Sequence, residues 1–136
     1  MIAILHHIDP SEPVCQALVL CQSRLEAIAT RERLSELGKY LDVECLEVLG
    51  GGDLRETRRR IRKSTVHVIV GTLGRINDII ARKFIAPEPL EIFVVIGGDN
   101  CLSTGFQDEL RSIVQTLPLG VQMVMTTETL PADLVE

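Results

Sequence analysis

Hydrophobic and polar positions fall in blocks along this chain. Five short apolar runs, Gln16–Leu20, Glu44–Leu49, Val66–Gly71, Ile92–Ile96 and Val121–Thr126, are bounded by polar or glycine-containing segments. Three of them are almost continuously apolar and rich in Val and Ile, as in strands covered on both faces. Between the runs, apolar residues recur at helical spacing. Phe106, Leu110, Ile113, Val114 and Leu117 share one helix face, and Leu73, Ile76, Ile79 and Ile80 share another, with Thr72 placed as N-cap. A third helix is predicted from about Leu25 to Leu41, ending around Gly38. A fourth, Leu54–Lys63, opens with Asp53 and Glu56 at capping-box spacing. This alternation predicts an α/β three-layer sandwich with a mainly parallel sheet. No internal repeat or linker interrupts it, so residues 1–136 read as one domain. Ile2–Ile8 is helix-like where a βαβ unit usually leads with a strand, so the expectation is a lost strand or a fragment.

Composition narrows the classes. The chain has 136 residues, 46% hydrophobic and 24% charged, too rich in Leu, Ile and Val for disorder. No apolar run approaches the ~18 to 20 residues of a membrane span. Met1–Ile8 lacks the basic leader and small-residue cleavage site of a signal peptide. Net charge is −5, so any contact with a polyanion must come from a local patch. Cys15, Cys21, Cys45 and Cys101 form no CxxC or Cys/His pair and read as small buried hydrophobes in a reducing compartment. His67 reads as a packed strand residue, and His6-His7 carries no metal-ligand spacing. A cytoplasmic setting is expected, with the nucleus left open.

In parallel α/β sheets, ligands collect at the carboxyl ends of strands, where the next helix presents free N–H groups. Three such turns suit anions: Cys21-Gln22-Ser23-Arg24, Gly50-Gly51-Gly52, and Thr72-Leu73-Gly74-Arg75. The catalytic patterns are missing. There is no G-x-x-x-x-G-K-[ST], and Gly50-Gly51-Gly52 does not complete G-x-G-x-x-G, because Arg55 stands where the last Gly belongs. No G-x-S-x-G elbow occurs. Asp99 is the one acid in the turn Gly97-Gly98-Asp99-Asn100, where a nucleotide's metal needs carboxylates. Arg55, Arg58, Arg59, Arg60, Arg62 and Lys63 make a dense basic helix, read either as a solvated face or as a contact for RNA or an acidic partner.

In order, CQSRLEA, LGGGD, IVGTLGR, FVVIGGDNCLSTGF and TTETLPAD resemble the first RecA-like domain of DEAD-box RNA helicases, nearest its translation-initiation members. The likeness covers Ile2 to Glu136. It implies that Ser23 and Arg24 (motif Ia), Gly50 and Gly51 (the Gly-Gly pair), and Thr72, Gly74 and Arg75 (motif Ib) grip the backbone of single-stranded RNA. Leu25-Glu26 is swapped relative to the family's Glu-Leu, and Leu73 replaces Pro.

The ATP-facing motifs depart further. Ile96-Gly97-Gly98-Asp99 occupies the place of Asp-Glu-Ala-Asp, so Ile96 replaces the metal-holding Asp and Gly97 the catalytic Glu. Thr127-Glu128-Thr129 replaces Ser-Ala-Thr. The phosphate-loop strand and the second RecA-like domain are not in the chain. The resemblance thus implies a catalytically inactive module with no cofactor, acting by binding RNA, a protein partner, or both. A truncated piece of an ATP-dependent helicase and a purely structural interaction domain are the alternatives. Without the phosphate-loop strand, 121–126 is expected to be an open sheet edge that a partner chain or a second copy covers.

Overall fold

The computed structural model describes residues 1–99 and 105–129, and the apolar runs within them become the strands of one sheet. In chain order the elements are α1 (Ile2–His7), β1 (Ala17–Cys21), α2 (Arg24–Leu37), β2 (Cys45–Val48), α3 (Leu54–Lys63), β3 (Val68–Thr72), α4 (Leu73–Ala81), β4 (Ile92–Ile96), α5 (Gln107–Thr116) and β5 (Gln122–Thr126). The sheet order is β2-β3-β1-β4-β5. Every pairing is parallel, so the sheet is fully rather than mainly parallel.

Strand alternation sends side chains to two cores. Leu18, Leu20, Ile69, Phe93 and Val95 meet Ile76 and Ile79 of α4 and Ile113 of α5 on one face. Ala17, Val19, Val68, Val70 and Ile92 meet Ala27 and Leu34 of α2 and Ile4 and Leu5 of α1 on the other. Helices therefore flank the sheet on both sides, which is why β1 is buried along its whole length. Gly71 is required by this packing: a Cβ there would stand 2.5 Å from the Val48 carbonyl oxygen of the neighbouring strand.

Several local expectations are corrected. Phe106 is 44% exposed, because α5 begins one residue later and leaves it at the N-cap, off the buried face. Thr72 occupies the N-cap of α4 but its side chain makes no capping hydrogen bond. Asp53 caps α3 by accepting from Arg55 N at 2.9 Å. Glu56 does not reciprocate; it pairs with Arg59 at 2.8 Å, so no capping box forms. A related arrangement lies at α2, unread in the sequence: Ser23 Oγ accepts from Glu26 N at 3.1 Å, and the Glu26 carboxylate reaches back to accept from Gln22 N, the residue before the cap, at 2.8 Å. Gln16 precedes β1, and its side chain ties down the 9–12 turn through Asp9 instead.

Cys15 and Cys21 are buried and Cys45 half-buried, and none of the three is in a disulfide. Burial pushes the Cys15 thiol up to about 12 and Cys45 to about 11. Cys101 lies outside the described residues. His67 is 3% exposed, and its Nδ1 accepts from Glu44 N at 2.9 Å, as a packed strand-end residue should.

The two sheet edges differ. On β2, Glu47 is bound by Arg31 of α2 at 2.9 Å and Arg60 of α3 at 3.0 Å, a charged curtain over the edge. Partial burial works to raise the Glu47 carboxyl, but the Arg60 hydrogen bond and the Arg60 and Arg31 charges outweigh it and hold it below the usual carboxylate range. A carboxyl whose folded pKa is depressed contributes stability above its unfolded pKa and loses it as pH falls through the folded value. Glu47→Gln should therefore lower the melting temperature near neutrality, with the gap to wild type closing on acidification. Solvent screening keeps the effect below about 1 kcal/mol. Paired melts across the acidic range check it; a gap independent of pH would refute it. Among the described residues no salt bridge screens β5, whose residues are exposed except for the half-buried Val124.

Candidate nucleic-acid interface

Because all strands run the same way, their carboxyl ends form one rim. β1 sends its helix, α2, to one face, whereas β3 and β4 send α4 and α5 to the other, so the rim opens at the end of β1. Ser23 and Arg24 stand there. Ser23 fixes the first turn of α2, and Arg24, its first residue, is exposed. A Cβ at Gly51 would lie 3.3 Å from Arg24 Nη1, so the guanidinium borders the glycine turn. Gly51 itself has φ +83, a left-handed conformation that disfavours a side chain. Gly50 approaches Thr72: a Cβ there would lie 3.7 Å from Thr72 Oγ1. At the head of α4, a Cβ on Gly74 would meet nothing within 4 Å, leaving that N-terminal turn open. Ser23, Arg24, Gly50, Gly51, Thr72 and Gly74 are thus brought to one side of one rim.

Arg75 behaves differently from the others. It is 6% exposed, its Nε donates to Leu49 O at 2.9 Å and its Nη2 donates to Gly52 O. Its guanidinium braces the glycine turn from below, where a free cation facing a phosphate was expected. The groove between the glycine turn and α4 also carries Asp53, Asp78 and Glu109, acids that the motif spacing did not reveal. The groups on this side that could attract an anion are backbone N–H groups and Arg24, with no general positive field around them.

The basic helix α3 starts beside this groove. Leu54, Thr57 and Ile61 turn inward, half-buried, while Arg55, Arg58, Arg59 and Arg62 are exposed on the outer side at helical spacing. Arg59 pairs with Glu56, Arg60 with Glu47, and Arg58 lies over the Phe84 ring at 5.6 Å. Arg55, Arg62 and Lys63 form no salt bridge among the described residues.

At the end of β4, Ile96 packs against the α1/α2 core. Gly97 has φ +71, and Gln22 Nε2 donates to its carbonyl at 3.0 Å. A Cβ at position 97 would stand 1.3 Å from Gln22 Nε2, so the glutamine amide fills that space. Thr129 Oγ1 donates to Asp99 Oδ2 at 3.4 Å. The described residues include no group of three or more His, Cys, Asp or Glu able to hold a metal. No helix among them is long and apolar enough to cross a membrane.

Comparisons with known proteins bear on the family and the fold. The family model for DEAD/DEAH box helicase matches residues 1–136. Eukaryotic initiation factor 4A of Drosophila melanogaster is 38% identical over 135 residues, covering 99% of this chain and 33% of that protein. ATP-dependent RNA helicase eIF4A of Neurospora crassa is 34% identical over 99% of this chain and 34% of its own length. Among solved structures, S. cerevisiae Dbp5 bound to RNA and ADP BeF3 superposes with a TM-score of 0.85 at 26% identity. It matches 97% of this chain and 33% of its own. The chain spans about a third of the length of the relatives it matches.

Proposed function

Since the chain belongs to the DEAD/DEAH box helicase family and carries its RecA-like fold, we propose that it is a catalytically silent binding module, one partial RecA-like unit that holds single-stranded RNA backbone along the rim. Ser23, Arg24, Gly50, Gly51, Thr72 and Gly74 make the contact, and Arg75 positions the glycine turn. The observation that carries this reading is the convergence of Arg24, Gly51 and Thr72 on one side of one rim. At the β4 end the residues do not fit a magnesium-bound nucleotide. Ile96 offers no oxygen, Gly97 no side chain, and the Gln22 amide occupies the space beside it. Asp99 alone remains there, so no hydrolytic step is assigned. A cytoplasmic setting in translation accords with the initiation-factor relatives.

RNA contact is electrostatic and hence salt-dependent. A titration with fluorescent single-stranded RNA should give binding that weakens with salt and ignores Mg-ATP. The cations of α3 that form no salt bridge among the described residues extend the contact beside the glycine turn, so reversing Arg55, Arg62 and Lys63 to Glu should lower affinity and flatten the log–log salt slope by up to about 2, at ~0.7 per phosphate contact. Absence of any salt slope in the wild type would end the idea. The coverage of a third of each relative favours a second reading, a piece of an ATP-dependent helicase. Binding stimulated by Mg-ATP would establish that one instead, and no RNA binding at all would leave a protein-interaction domain.

A further inference from the structure

At the end of the sheet opposite the rim, where β1, β3 and β4 begin, lies a pocket of about 160 Å³. Its walls come from three separate stretches: Pro13 and Cys15 ahead of β1, Ile61 and Ser64 at the end of α3, and the segment from Phe84 to Pro89 between α4 and β4. These walls are held in place by the backbone. Lys83, at φ 55, turns the chain out of α4, so that Phe84 N donates to Ile79 O at 2.8 Å and the Phe84 ring packs on the core. Leu90 N donates to Pro87 O at 3.0 Å and closes the turn that carries Pro89. The Cys and Ser side chains of the walls are already engaged: Cys15 Sγ donates to Ala17 O at 3.5 Å, and Ser64 Oγ donates to Arg60 O at 3.0 Å. A polar occupant would therefore give up water for little in return. A cavity of ~150 Å³ takes one benzene ring, so the volume suits a single Phe side chain and not the face of a helix.

Charge around the mouth narrows the choice further. Elsewhere on α3 the cations have acidic partners, Arg59 with Glu56 and Arg60 with Glu47. On the pocket side Arg58 lies over the Phe84 ring at 5.6 Å, Arg62 follows Ile61, and Arg82 and Lys83 precede Phe84. All four are exposed, and none forms a salt bridge among the described residues. The acids that flank the walls in the chain are Glu12 and Glu88. On a chain of net charge −5 this is a local excess of positive charge around an apolar hole.

We propose that the pocket docks an acidic segment of a partner protein, which inserts one Phe side chain between α3 and the 84–89 turn and sets its carboxylates against Arg58 and the neighbouring cations. The apolar anchor supplies affinity, and the charges supply orientation and encounter rate. Because the walls are already formed, little ordering is left to offset that gain. A nucleobase is a poorer match, since its polar edge would be buried without partners. The inference goes beyond the RNA reading and concerns the other end of the sheet.

A fluorescein-labelled peptide, Glu-Glu-Phe-Glu-Glu, followed by anisotropy as the chain is added, tests it. Saturable binding that weakens with salt is expected. A peptide with Ser in place of Phe should bind at least about tenfold more weakly. A peptide with Lys in place of every Glu should not bind. Ala86 lines the pocket at an exposed position, so Ala86→Trp should fill it, abolishing peptide binding with circular dichroism and RNA affinity as in wild type. Arg58→Glu should weaken the peptide and flatten its salt dependence, and serves if the tryptophan variant fails to fold. The proposal is overturned by a wild type that shows no saturable binding, or by a Ser peptide that binds as well as the Phe one. A folded Ala86→Trp variant with undiminished peptide affinity overturns it too. Loss of RNA affinity in that variant would assign the pocket to nucleic acid instead.

Discussion

Arg75→Ala is expected to lower stability by about 3 kcal/mol and to abolish RNA binding together. The side chain is 6% exposed and supplies charge-assisted hydrogen bonds to two carbonyls, Leu49 O and Gly52 O, on either side of the glycine turn. Hydrogen bonds to charged groups contribute about 1.5 to 3 kcal/mol each, and the vacated volume adds a packing loss. With the brace gone, Gly50 and Gly51 no longer hold their places beside Thr72 and Arg24. Arg75→Lys should recover only part of this, since an ammonium is a point donor and cannot span both carbonyls as a guanidinium fork does. Arg24→Ala provides the contrast: exposed at the first turn of α2, it should weaken RNA binding with stability unchanged. Urea denaturation and RNA titration of the three variants read both effects. Full RNA affinity in a folded Arg75→Ala variant would show that the turn needs no brace.

Restoring the two acidic residues at the β4 end should fail as an attempt to recover hydrolysis. The double variant Ile96→Asp/Gly97→Glu is expected to lose about 3 kcal/mol of stability and to release no phosphate above buffer, with or without RNA. The Ile96 packing is lost, a carboxylate is set against an apolar core, and residue 97 takes a side chain at φ +71. That side chain also collides with the Gln22 amide, whose hydrogen bond to Gly97 O is forfeited. Adding Gln22→Ala should relieve the collision and regain part of the stability. RNA-stimulated phosphate release from the wild-type chain would overturn the inactive reading, and release from the double variant would show that the β4 end still accepts a nucleotide and its metal.

What the sequence disclosed and what it hid follow from the range of the interactions. Near-continuous Val and Ile runs marked β1, β3 and β4, which are buried on both faces, and apolar runs broken by polar residues marked the half-buried β2 and the exposed β5, each to within a residue or two. The spacing of Leu73, Ile76, Ile79 and Ile80 marked α4 for the same reason. The three rim turns were legible as strand-to-helix turns because glycine after a strand and serine at a helix start mark such turns. Arg75 was misread because its partners, Leu49 and Gly52, lie on a different βα turn, and only the sheet order brings them together. The Gln22–Gly97 contact joins residues 75 positions apart and leaves no trace in either local pattern. Phe106 fitted the apolar helix face but fell one residue before the helix, a boundary that periodicity cannot fix. The Ser23–Glu26 cap was readable at its spacing yet was outweighed by the Asp53–Glu56 pair, which the Arg59 side chain diverted.

The shared direction of the strands has one more consequence. All five carboxyl ends open on the same side, so a polymer lying along the rim would cross the sheet over its central strand, β1, and meet the turns after β1, β2 and β3 from a single direction.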